Sequence, residues 1–315
     1  SVGFWQDGIR RLKKNKIAMV SLVVIVFVFI FSFLVPQLYP YSYEQQIRGS
    51  ENLAPMQYSE KELEAKAAGE SVFPHVLGTD NLGRDYAVRV MMGSRVSLTV
   101  GLVASAIILL IGSLYGSVAG FFGGWVDMIM MRIVDMIYTV PDILIIVLLS
   151  VAFDQPLKAL AQKPGFEWIQ VIGVNLISIF VVFALLYWVG MARIVRSQIL
   201  ILKEQEYVTA ARALGASNGR IIKKHLLTNC IGTLIVTTTL QIPSSIFTES
   251  FLSFLGLGVA APMPSLGSLA SAALNGLQSY PHRLFAPALA ISVIILSFNL
   301  LGDGLRDAFD PKLKD

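Results

Sequence analysis

The sequence predicts an all-α polytopic membrane protein: six transmembrane helices, an interfacial helix at the N-terminus and a short helix–turn–helix on the cytoplasmic surface. Three observations carry this. Hydrophobic residues make up 55% of the 315 and charged residues only 15%, with a mean hydropathy of +0.66; a soluble domain is nearer 45–50% apolar and about 25% charged. Six apolar runs come close to the ~20 residues that cross a hydrocarbon core of about 30 Å. Basic residues gather beside these runs, at 10–16 and at 191–228, and positive charge flanking a span marks the cytoplasmic side. The net charge of +4 is explained by these flanks and calls for no nucleic acid. The single cysteine, Cys230, excludes an internal disulfide or a cysteine-based metal site.

Taken in order, residues 1–16 hold Trp5, Ile9 and Leu12 at i, i+4, i+7, followed by Arg10, Arg11, Lys13, Lys14 and Lys16. This is an amphipathic helix lying in the membrane interface, with lipid as its partner. The first span fills 17–36, nearly pure Val, Ile, Leu and Phe, with Pro36 and Pro40 closing it. Its run is too long for the apolar core of a signal peptide. Residues 37–95 form an acidic extracytoplasmic loop. Ser59–Gly69 in it reads as a short solvated helix, His75 as a surface residue, and Thr79 or Asp80 as the cap of the helix that follows. Residues 96–315 make up the remaining five spans. Val96 to about Phe121 is the second, where Gly112, Gly116 and Gly120 let a neighbouring helix come close. Gly123–Asp127 is a turn. Ile133–Phe153 is the third span, interrupted at Pro141-Asp142. Asp135 and Asp142 either face protein or a water-filled path, or lie near the cytoplasmic interface if the span starts only after Pro141. Residues 154–168 are an outer loop, and about Ile169–Gly190 the fourth span. Cys230–Leu255 is the fifth, broken by Pro243 and carrying Glu249, and Phe285–Leu301 the sixth. A cytoplasmic tail covers 302–315. With six spans both termini are cytoplasmic.

The loop between the fourth and fifth spans is the most informative stretch. In EYVTAARALGASNGRIIKKHLLTN (206–229), Tyr207, Ala210, Ala211 and Leu214 fall on one helical stripe. Gly215 suits the left-handed turn that ends a helix, and Ser217 suits the N-cap of the next. Glu206-Tyr207-Val208, Ala210-Ala211-Arg212, Gly215-Ala216 and His225 resemble the EAA loop (204–228) of ABC-importer permeases. The wording is closest to the C-type subunit of the oligopeptide/dipeptide/nickel family. Thr209 departs from the general Glu, and Thr228 stands where Pro is usual. A second phrase, His75 to Leu98, resembles that family's HPLGTDxLGRDxxSRxxxGxRxSL signature, with Val76 for its proline and Val88 for its serine. Gly302-Asp303-Gly304-Leu305-Arg306-Asp307 with Asp310-Pro311 resembles its NxxGDGLRDxxDP ending.

The resemblance implies a transport subunit that is not an enzyme. Its partners would be a second homologous permease subunit, two ATPase subunits and an extracytoplasmic solute-binding protein. It also implies a coupling helix in which Tyr207, Ala210, Ala211 and Leu214 fill a groove on the ATPase, Glu206 and Arg212 give polar register, and Gly215 sets the turn. Bottom-up, the chain has no GxxxxGK[ST] phosphate loop and no HExxH motif, so ATP and Mg belong to partner subunits and no cofactor is expected here. Peptide is the expected cargo, with nickel or another small solute as the alternative. An ion-coupled secondary transporter using Asp135, Asp142 and Glu249 is the reading from a different class. Such proteins often carry internal repeats, and none is found.

Overall fold

The computed structural model describes residues 4–139, 141–166, 168–259 and 261–309, without the side chains of Phe4, Asp142 and Val171. Among the described residues the named regular elements are all helices. In chain order the helices are α1 (Phe4–Lys14), α2 (Lys16–Leu38), α3 (Glu60–Ala67), α4 (Tyr86–Phe122), α5 (Gly124–Thr139), α6 (Asp142–Ala161), α7 (Trp168–Ile172), α8 (Val174–Leu202), α9 (Glu206–Ala213), α10 (residues 218–229), α11 (Ile231–Phe254), α12 (Leu266–Leu274) and α13 (His282–Phe309). Six of them, α2, α4, α6, α8, α11 and α13, are long and apolar enough to cross a membrane. Residues Ile30–Leu34, Phe183–Tyr187 and Ile221–Leu226 are π-helical turns within α2, α8 and α10.

Several boundaries differ from the sequence reading, each for a physical reason. Helix α4 begins ten residues before Val96 because the charges that made 86–95 resemble a loop are satisfied locally: Arg89 lies 3.5 Å from Asp80, and Arg95 donates to the Phe33 carbonyl at 2.8 Å. Its cap is Asp85, which accepts from the Val88 amide at 3.0 Å, rather than Thr79 or Asp80. Gly123 supplies a turn, but Trp125–Asp127 already belong to α5. The break at Pro141 is real, so the third span begins after it and α5 is a separate helix. Arg193 and Arg196 sit on α8, which runs on to Leu202, and not in a loop. Pro243 leaves α11 continuous. Helix α13 carries through Gly302 to Phe309, so the described part of the expected tail is helical; residues 310–315 fall outside the described residues.

The chain divides into two compact units. The first comprises residues 1–21, 102–245 and 298–315. Its seam is the glycine row of α4 against α8. A Cβ on Gly112 would lie 2.6 Å from the Met191 Cβ, one on Gly116 2.3 Å from the Ala192 carbonyl oxygen, and one on Gly120 2.9 Å from that of Arg196. Only glycine permits backbones this close. Beside the seam, Val134, Trp188, Val189 and Ala192 are buried with Ile111, Tyr115, Met131 and Ile137 around them. The Tyr115 hydroxyl donates to the Met130 carbonyl at 2.8 Å. In the same unit the Trp5 ring meets the edge of Phe309 at 5.7 Å, and Gly8 and Gly304 lie against Phe309 and Ala18.

The second unit comprises residues 22–101 and 246–297. Helix α3 is set by a capping box between Ser59 and Glu62, and Ser265 and Ser268 do the same for α12. His75, expected at the surface, is fully buried. Its Nδ1 lies 2.8 Å from Asp85, its Nε2 3.0 Å from Glu62, and its ring stacks on Tyr41 at 4.5 Å. Gly78 holds a positive φ of 73° where a Cβ would strike the Leu53 carbonyl oxygen at 2.2 Å. Arg283 donates to Asn52 Oδ1 (3.0 Å) and to the Thr79 carbonyl (2.6 Å), tying the segment before α4 to the start of α13.

Candidate coupling surface and buried acids

Helix α9 stands between α8 and α11 in sequence and is closed by a well-formed stop. Leu214 is its C-cap, Gly215 takes a φ of 78°, the Gly215 amide donates to the Arg212 carbonyl at 2.9 Å and the Ala216 amide to Ala211 at 3.0 Å. These two bonds are the Schellman pattern. Ser217 precedes α10 in extended backbone, although its side chain makes no capping bond. Thr228, at the position where a proline would stop the helix, donates to the Lys223 carbonyl at 3.3 Å and lets α10 continue to Asn229.

The structure divides the expected stripe in two. Val208 and Ala211 are buried, as are Ile221 and Leu226 of α10. Ala211 therefore faces its own chain and is not free to fill a partner's groove. Glu206, Tyr207, Ala210, Arg212, Leu214 and Gly215 are exposed, Leu214 at 88%. The sequence reading missed Val208. Positions 208 and 211 form an i, i+3 pair as acceptable as 207 and 210, and on so short a helix periodicity does not say which stripe turns inward.

Further contacts brace this surface. The Tyr207 hydroxyl accepts from Asn229 Nδ2 at 3.2 Å, and the same amide donates to the His225 carbonyl. The Arg212 guanidinium lies over the Phe121 ring at 5.3 Å, at the end of α4. Arg196 of α8 grips Asp127 of α5 through Nε and Nη2, a bidentate pair. These hydrogen bonds hold the Asp127 carboxyl below its usual range. No local pattern points to Phe121, Asp127 or Arg196, because their partners lie far along the chain.

The three acids expected near a path have separate surroundings. Asp135 pairs with Arg193 at 2.8 Å, both partly exposed, while Arg193 also lies over Tyr138 at 4.5 Å. Asp142 opens α6, and its side chain lies outside the described residues. Glu249 is fully buried and accepts from the hydroxyls of Ser97 (2.7 Å), Ser253 (2.7 Å) and Ser250 (3.3 Å).

Residues 112–315 match the model of the binding-protein-dependent transport system inner membrane component family. The chain belongs to this family. Residues 3–55 of the permease also match the N-terminal transmembrane domain of oligopeptide transport permease C. The permease is 41% identical over 314 residues to the oligopeptide transport system permease protein OppC of Bacillus subtilis (strain 168), spanning all of this chain and 92% of that protein. It is 43% identical over 315 residues to the dipeptide transport system permease protein DppC of the same organism, spanning 100% and 88%. With the OppC of Escherichia coli (strain K12) the identity is 38% over 308 residues, spanning 98% and 91%. Membership makes the chain a multi-pass inner-membrane component of a transport system, a permease and not an enzyme.

Proposed function

We propose that this permease is one of two homologous membrane subunits of an ATP-driven importer for oligo- or dipeptides, delivered by an extracytoplasmic solute-binding protein. The observation that carries the proposal is similarity over the whole chain to relatives named as oligopeptide and dipeptide permeases. Two ATPase subunits complete the assembly and bind the ATP and Mg.

Helix α9 is the docking element. Tyr207, Ala210 and Leu214 present its apolar side to a groove on one ATPase, a helix-in-groove contact. Glu206 and Arg212 set the register, and Val208 and Ala211 anchor the helix to the permease. Gly215 lets α9 and α10 turn sharply away from each other. Moving a two-state equilibrium from 1:99 to 99:1 takes about 5.5 kcal/mol of differential binding. ATP binding and hydrolysis on the partners supply it, and α9 passes it on through Phe121 and the Asp127–Arg196 pair. Both termini lie in the cytoplasm, a reading supported by the contact of α1 with the end of α13. The segment before α4 then faces outward, toward the binding protein.

The test is purification of the tagged chain in mild detergent, followed by reconstitution. Co-purification of a second permease and two ATPases, with ATP-dependent peptide uptake, is the expected result. Recovery of the chain alone, or uptake of nickel but not of peptide, would overturn the assignment.

A further inference from the structure

A groove of about 860 Å³ lies between α8, α11 and the end of α13, all within the first unit. That volume is in the range of small-molecule sites, roughly 300–1,000 Å³. Its walls carry a pattern. Thr233, Thr237 and Gln241 recur every four residues on α11, hence along one helical face. Gln198 of α8 and Arg306 of α13 join them. Among the described residues, Gln198, Gln241 and Arg306 have no hydrogen-bond or ion-pair partner, and no carboxylate lines the groove.

Three occupants compete for this space. Lipid is a poor one, because an amide or guanidinium in hydrocarbon loses its hydrogen bonds at a cost of several kcal/mol. A second permease helix is the serious competitor, because threonine and glutamine side chains also hydrogen-bond between membrane helices; it accounts less well for an open volume of about 860 Å³ with a guanidinium at its rim. A peptide in transit matches the chemistry. Each glutamine amide both donates and accepts, as does each peptide unit, and such bonding is indifferent to the peptide's side chains. The unpaired guanidinium suits a terminal carboxylate.

The geometry points to this groove as the inner station of the translocation path, where Gln198 and Gln241 hydrogen-bond the backbone of a passing peptide and Arg306 draws its carboxylate end toward the cytoplasm. The inference rests on the peptide-importer reading and its orientation. It assigns the path to uncharged amides and one cation, away from Asp135 and Glu249, which already have partners.

The experiment uses the assembled transporter in proteoliposomes with radiolabelled tri-alanine. A benzoylphenylalanine photoprobe replaces Thr237 in one preparation and the exposed Phe247 of the same helix in another. Peptide label at position 237 that depends on ATP and the binding protein, and is absent at 247, is the expected result. Gln198→Leu with Gln241→Leu should cut uptake tenfold or more while basal ATP hydrolysis is unchanged, and Gln241→Asn should restore part of it. Arg306→Gln should abolish any preference for tri-alanine over its C-terminal amide. Capture of only lipid or the second permease at 237, or normal uptake by the double leucine variant, overturns the inference and leaves the importer reading standing. Failure of the parent complex to take up peptide overturns both.

Discussion

At the scale of single residues, two buried ionisable groups decide the most. Glu249 gathers the hydroxyls of Ser97, Ser250 and Ser253 around one carboxylate. Removing the acceptor leaves buried donors unsatisfied, at about 1–3 kcal/mol each. Glu249→Ala should therefore lower the thermal midpoint in detergent clearly, and Glu249→Gln, which keeps an acceptor, should lower it less. Cys230, free and buried, provides the readout, because a thiol-reactive dye labels it only on unfolding. Equal midpoints for both variants would show that the serines do not depend on Glu249. His75 sets a pH response. Burial alone would depress its pKa, but its bonds to Asp85 and Glu62 outweigh this and raise it above the ordinary 6.5. For Glu62, burial is outweighed by the Ser59 amide and by His75, leaving it below 4.5. Tyr41, facing the same cluster, is pushed up to about 12 by burial and the two carboxylates. The histidine contribution is thus complete below pH 6.5 and is lost as pH rises through the raised value; the glutamate contribution is complete above pH 4.5 and is lost as pH falls through the lowered one. Proteolytic resistance of residues 37–85 should peak between those limits and fall as the pH rises through the raised histidine value. In His75→Gln the alkaline fall should vanish; an unchanged fall would exonerate His75.

At the scale of elements, α9 and the α4–α8 seam make opposite predictions. A Cβ on Gly215 meets nothing within 4 Å, so Gly215→Asp meets only the conformational cost of a positive φ, about 1–2 kcal/mol and lowest for Asn or Asp. The variant should reach the membrane in normal amounts yet lose peptide-stimulated ATP hydrolysis and uptake, because a carboxylate then stands on the exposed turn beside Leu214. Full stimulation in that variant would refute docking through α9. Gly116→Ala puts a methyl on the Ala192 carbonyl and should cost about 1–3 kcal/mol, read as a lower yield of folded complex with normal coupling in what remains. The six apolar helices and the glycine seam were legible in the sequence because hydropathy and four-residue spacing are local signals. Helix α5 was not. It is 16 residues long with two acids, and Arg193 and Arg196, which meet their charge, stand 58 and 69 residues further on. The burial of His75 was hidden for the same reason, since it depends on Glu62 and Asp85 folding over it. The family membership was legible in the wording of α9, but the inward stripe of that helix was not, because two adjacent stripes are equally apolar.

At the scale of the whole molecule, α1 packs on the end of α13, which brings Trp5 and Gly8 against Phe309. Green fluorescent protein fused to either end should fluoresce in intact cells, and alkaline phosphatase fused to either end should be inactive; opposite behaviour of the two ends would contradict that contact. The contact also has a timetable. Gly8 and Phe309 are separated by about 300 residues of chain, which a ribosome adding 5–20 residues per second takes roughly 15–60 s to make. For that interval α1 lacks the Phe309 ring that its Trp5 later meets. It waits on the headgroups of the bilayer until α13 is made.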